Sequence, residues 1–133
     1  MRHAALVGTG DTAVDFAVLC YPVVNMVSET HAGSREHLIG LDASDELRRA
    51  TSLQLLVTPD SPTMFIWSTT DDASVPIADH TYPLGEALAR NGVAHDFHMF
   101  DNGGAHGMGL GPHTLTGEQW TRLAAEWLAK KLP

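Results

Sequence analysis

Three short runs constrain this chain most: Asp15 to Tyr21, Thr63 to Trp67 and His95 to Phe100. Each is far too short to cross a membrane and of the right length for a strand. The first is unbroken in its apolar character (Phe16-Ala17-Val18-Leu19-Cys20) and is closed by Pro22, the pattern of a strand covered on both faces. Thr58-Pro59-Asp60-Ser61-Pro62 turns the chain into the second run, Met64-Phe65-Ile66-Trp67. The third ends in Phe97 to Phe100 and leads into glycines.

Helical segments separate and follow these runs. Residues 1–7 have helix-compatible composition, broken by Gly8-Thr9-Gly10-Asp11, and Val23 to Gly33 reads as a loop. Ser34 is expected to cap a short helix through Leu38, with Gly40 as its stop. Ser44 caps a second, with Asp45 and Glu46 in its first turn and Arg48 and Arg49 in its last, as the helix dipole prefers. Ile77 to Asn91 reads as a helix ended by Gly92, and Pro83 in its middle predicts a kink. Thr116-Gly117-Glu118-Gln119 reads as a capping box. Behind it Trp120, Leu123, Ala124, Trp127 and Leu128 form an apolar stripe suited to docking on a sheet. Strands alternating with helices give an α/β fold: about three parallel strands in consecutive order, with helices on both faces.

The 133 residues amount to one domain, large enough for a real core. A net charge of −8, with only eight Lys and Arg and no more than two adjoining, excludes a basic surface for nucleic acid or anionic membrane. The lone Cys20 lies in an apolar run and reads as a small buried hydrophobe. The apolar block at the N-terminus is too short for a signal peptide, so the cytoplasm is the expected compartment.

The chemistry gathers behind the second and third runs. Trp67-Ser68-Thr69-Thr70-Asp71-Asp72-Ala73-Ser74-Val75-Pro76 ends a strand in a carboxylate pair, and Gly103-Gly104-Ala105-His106-Gly107 presents a histidine between glycines. A carboxylate at one strand end and a histidine at the next is how a doubly wound sheet builds an oriented general base. Asp72 is the better placed acid and Asp71 the neighbour that bonds the loop; Gly107 gives the backbone and a substrate room beside His106. On spacing alone both aspartates read equally as turn or helix-cap residues, and His106 as a loop histidine. Eight histidines raise the question of a metal, yet His95 and His98 face opposite sides of a strand, and His31 and His37 lack a ligand pattern. No metal site is expected.

These motifs, taken in order, resemble a family. Asp15 to Val24, His31 to Gly40, Pro62 to Trp67, Asp71-Asp72-Ala73-Ser74-Val75-Pro76 and His106-Gly107-Met108-Gly109-Leu110 are similar to the C-terminal half of α/β-hydrolase esterases. The subgroup is the acetyl-xylan-esterase-like, or xylanase B-like, group related to dienelactone hydrolases. The resemblance implies a carboxylesterase that hydrolyses small acyl esters, acetyl groups of sugars among them, through an acyl-serine and without a cofactor. It implies Asp72 and His106 as the acid and base of the triad.

Three departures go with it. The sequence holds no Gly-x-Ser-x-Gly, and Met1-Arg2-His3-Ala4-Ala5 resembles the tail of the segment that follows that serine, so the resemblance implies a truncated domain. Gly103-Gly104-Ala105 carries one residue more than the pattern, and Pro83 interrupts a helix. The isolated chain is therefore expected to be inactive unless another serine, Ser34 or Ser74, is recruited. The competing reading is a non-catalytic module that self-associates, or pairs with an N-terminal half, through the strand edge Asp15 to Tyr21.

Overall fold

Thr63–Thr69 forms the centre of the molecule as strand β2, and Met64, Phe65, Ile66 and Trp67 within it are completely buried. Four consecutive apolar side chains in a strand can be satisfied only between two covered faces. β1 (Phe16–Cys20) pairs with β2 on one side and β3 (His95–Phe100) on the other, both parallel, giving the order β1-β2-β3. The computed structural model describes residues 13–28, 30–101, 106 and 115–132. The expectations for residues 1–7, for Gly8 to Asp11, for Gly103 to Ala105 and for Gly107 fall outside these.

The period-two alternation of β2 sorts the core into two halves. Met64 and Ile66 meet Val24, Leu53, Val57, Leu84 and Leu88. On that side packs α3 (Thr81–Arg90), which buries Thr81, Leu84, Ala87 and Leu88 at helical spacing. Phe65 and Trp67 face Trp120, Ala124 and Trp127 of α4 (Leu115–Ala129), where the Trp67 and Trp120 rings stack at 5.2 Å. Helices thus flank both faces of the sheet, as the alternation of runs predicts. Two peripheral helices, α1 (Ala32–Ile39) and α2 (Asp45–Ala50), bury no residue. Gly40 ends α1 at φ 84°, a conformation that a residue with a Cβ adopts only under strain.

Four local expectations are corrected. α1 begins at Ala32 and is capped by His31, whose Nδ1 accepts from the Ser34 amide at 3.1 Å; Ser34 lies inside the helix. α3 begins at Thr81, after a turn in which the Asp79 and His80 amides donate to the Pro76 carbonyl. Pro83 therefore sits in the first turn, where its missing N–H has no helical partner to lose, and it causes no kink. Thr116 is the second residue of α4, buried, so the box is no cap; the capping position lies outside the described residues. β2 continues two residues beyond Trp67, because the Ser68 hydroxyl meets that of Thr81 at 2.7 Å and lets a polar residue stay in the sheet interior. Ser44 does cap α2, its Oγ accepting from the Leu47 amide at 3.2 Å.

Candidate active site

Parallel pairing brings the C-terminal ends of β1, β2 and β3 to one edge of the sheet, the edge at which open α/β sheets hold their ligands. The loops after β2 and β3 are tied there: the Thr70 amide donates to the Phe100 carbonyl at 3.1 Å, and the Thr70 hydroxyl to Asp101 Oδ1 at 3.2 Å.

Asp72 sits in the turn after β2, its side chain 1% exposed. Its Oδ1 accepts from the amides of Ser74 and Val75, each at 2.9 Å, which fixes the carboxylate against its own backbone. Its Oδ2 lies 2.7 Å from Nδ1 of His106, whose side chain is 30% exposed. The structure thus brings together the two residues singled out as acid and base. A carboxylate only accepts, so Nδ1 of His106 carries a proton, and in the neutral ring the lone pair is then on Nε2. Asp71 is exposed at the loop surface beside them.

Two aromatic rings flank the imidazole. Tyr21, the first residue beyond β1, lies at 4.8 Å between centroids and 74° between planes. His31 lies nearly parallel to His106, at 6.4 Å and 16°. Ser34 Oγ is 3.0 Å from Nδ1 of His31, while Ser74 is joined to Asp72 through its backbone amide.

Behind the site His80 is completely buried and accepts through Nδ1 from the Val24 and Asn25 amides, each at 3.3 Å. That bond needs a neutral ring. Burial pushes the His80 pKa down; Asp79 and Asp72 oppose the shift, and His31 and His106 add to it. His80 so pins the loop after β1 to the segment between β2 and α3, in which Asp72 also lies. Cys20, expected to be buried, is only half-buried; that burial raises the pKa of its thiol, against a smaller lowering by Trp67.

Sequence reasoning missed Tyr21, His31 and His80. Tyr21 follows a strand directly, which was a signal for a site residue; nothing near His31 or His80 distinguishes a cap or a buried acceptor from a surface histidine. His95 and His98 pair in register with Met64 and Trp67, residues on opposite faces, as their odd separation predicts. Among the described residues no three His, Cys, Asp or Glu side chains are grouped to hold an ion, and none of the described helices is long and apolar enough to cross a membrane.

No protein-family model matches the chain. It is 33% identical over 94 residues to endo-1,4-beta-xylanase B of Butyrivibrio fibrisolvens, a match spanning 71% of this chain and 14% of that protein. An acetyl ester-xyloside bifunctional hydrolase from Caldicellulosiruptor lactoaceticus shares its fold at a TM-score of 0.83 and 34% identity, over 90% of this chain and 43% of that one. The carboxylesterase Cest-2923 of Lactobacillus plantarum WCFS1 does so at 0.68 and 27%, over 88% and 44%. The chain thus spans less than half the length of either hydrolase. Its three parallel strands and flanking helices are part of an α/β-hydrolase fold, of the kind found in acetyl-ester and carboxylester hydrolases.

Proposed function

We propose that this chain supplies the acid–base part of a serine carboxylesterase acting on small acyl esters, acetyl groups of sugars in particular. The observation that carries the reading is the 2.7 Å contact between Asp72 Oδ2 and His106 Nδ1. Similarity to an acetyl ester-xyloside hydrolase supports the acyl and sugar character of the substrate. With its proton on Nδ1, His106 takes the proton of a serine hydroxyl at Nε2 as that oxygen attacks the ester carbonyl. Asp72 stabilises the imidazolium formed, which then gives its proton to the departing alcohol. Water repeats the sequence to free the acid. Asp71 steadies the loop. In this reading the serine and the oxyanion-hole donors come from outside these 133 residues, since the sequence contains no Gly-x-Ser-x-Gly.

Hydrolysis of p-nitrophenyl acetate tests it. Alone, the chain is expected to turn over no faster than its His106→Ala variant. Joined to a segment carrying the serine elbow and oxyanion loop, it is expected to gain turnover that His106→Ala abolishes. Activity of the joined protein that survives His106→Ala would sink the reading. Activity of the chain alone that His106→Ala removes would instead favour a recruited serine, Ser34 or Ser74.

One observation favours a second reading, an interaction module. Among the described residues β1 pairs on one side only, and its sequence, Phe16 to Cys20, has no charge, Pro or bulge to protect the other side. Such an edge suits a second copy of this chain or a strand of a complementary half. A monodisperse monomer in sedimentation at tens of micromolar would rule this reading out.

A further inference from the structure

Tyr21 is the one non-glycine residue with positive φ, 38°, among the described residues. For a bulky aromatic residue this is a genuine outlier, held only where the surroundings impose it. The surroundings are visible. Its amide donates to the Trp67 carbonyl at 2.7 Å, so the β1–β2 ladder runs one residue past the strand and fixes the backbone nitrogen. Pro22 follows, with its own restriction on the residue before it.

Glycine would adopt this backbone without strain, so the conformation alone does not account for a tyrosine. The ring does. It stands nearly perpendicular to Trp67, at 4.9 Å and 88°, and to His106, at 4.8 Å and 74°. The Trp67 indole is fully buried and stacked on Trp120, so the Tyr21 ring is braced from below by the packed core. The same ring also meets the His106 imidazole, which Asp72 holds at Nδ1.

Among the described residues the imidazole has one hydrogen bond, to Asp72, and a single bond does not by itself fix the tilt of the ring plane or the direction of the far nitrogen. Fixing its plane needs a second contact off the bond axis. The strained turn after β1 delivers one, an aromatic wall in the edge-to-face arrangement that ring quadrupoles prefer. His31 lies farther away and nearly parallel, so its face does not bracket the imidazole edge-on as Tyr21 does.

We propose that Tyr21 is a positioning residue for His106: its ring fixes the imidazole plane so that Nδ1 stays on Asp72 and Nε2 keeps one direction. The inference rests on the reading of His106 as a general base, and it gives the strained backbone at the end of β1 a purpose. It needs the flat ring of Tyr21, so phenylalanine should replace it and leucine, of similar bulk against Trp67, should not.

The test reads His106 directly in the full chain, without turnover. In the 15N-histidine-labelled protein the Nδ1 proton donated to Asp72 should give a low-field resonance, assigned by its loss in His106→Gln. That resonance is expected to persist in Tyr21→Phe and to vanish or exchange at least tenfold faster in Tyr21→Leu, with the far-ultraviolet dichroism and the denaturant midpoint showing that the variant is folded. Should leucine unfold the chain, Tyr21→Gly, which relieves the backbone and removes the ring, is expected to lose the resonance in a folded protein. Retention of the resonance in Tyr21→Leu or Tyr21→Gly overturns the proposal and leaves the general-base reading standing. Its loss in Tyr21→Phe also overturns it, because the ring would then not be what matters. Its absence from the unsubstituted chain refutes the Asp72–His106 pairing, and with it both readings.

Discussion

Asp72 divides its two oxygens between two tasks: Oδ1 holds the amides of Ser74 and Val75, and Oδ2 meets a histidine 34 residues along the chain. The two tasks separate by substitution. Asp72→Asn keeps an oxygen for the amides, so the unfolding free energy is expected to fall by less than about 1 kcal/mol. It cannot fix the His106 tautomer as a carboxylate does, so in an enzyme completed with a serine kcat should fall by about four orders of magnitude. Asp72→Ala also orphans two amides and should lower stability by about 1–3 kcal/mol. Urea titration and p-nitrophenyl acetate kinetics check the pair; equal stability losses in the two variants would contradict it.

The Ser68–Thr81 hydroxyl pair is buried at both ends, with Ser68 1% and Thr81 0% exposed. Ser68→Ala strands the Thr81 hydroxyl in the core and should cost about 1–3 kcal/mol. Adding Thr81→Val removes the orphan, so the double variant should lose less than the sum of the single losses. Denaturant midpoints of the three proteins decide the matter, and strict additivity would show that the bond couples nothing.

His80 makes stability depend on pH. Its folded pKa is depressed below the ordinary imidazole value of 6.5, chiefly by burial. The unfolded chain therefore binds the extra proton first. The contribution of His80 is fully present above about 6.5 and is lost as the pH falls through the lower folded value. His80→Asn retains an acceptor for Val24 and Asn25 and does not titrate, so its denaturant midpoint should fall less steeply below pH 6.5 than that of the parent. Parallel curves for the two proteins would remove His80 as the cause.

Pro83 is the third residue of α3. There its ring restricts the unfolded chain and costs the helix no hydrogen bond. Pro83→Ala should thus destabilise, by about 0.4–1 kcal/mol. A proline in a helix interior would give the opposite sign and a larger size, about 3 kcal/mol, when replaced by alanine. Thermal unfolding of the one variant distinguishes the two.

That proline shows where the sequence was legible and where it was not. The limits of β3 follow from Gly92 before it and from the Phe97 to Phe100 run that closes it, because short-range patterning decides them. The start of α3 does not, because residues 77–80 are held as a turn by bonds to Pro76 and by His80, which reaches across to Val24 and Asn25. His31 outranks Ser34 as a cap for the same kind of reason: a neutral imidazole is an acceptor like a hydroxyl, and composition rules favour the hydroxyl. Asp72 and His106 stand out because each follows a strand, and parallel strands put their ends side by side. The φ of Tyr21 has no sequence signal at all, since no local rule asks an aromatic residue to turn left-handed.

β3 pairs with β2 and, among the described residues, with no other strand, and His106 lies beyond its end. The acid is anchored just beyond the central strand, the base beyond one at the rim. A rim strand detaches at a smaller free-energy cost than the whole domain melts. When β3 peels from Thr69 backwards, the imidazole leaves Asp72 while Trp67, Trp120 and Leu88 remain packed. The catalytic pair is therefore expected to dissolve before the protein does: on warming, or in dilute urea, the His106 signal should fade several degrees, or several tenths molar, ahead of the tryptophan fluorescence that reports the core.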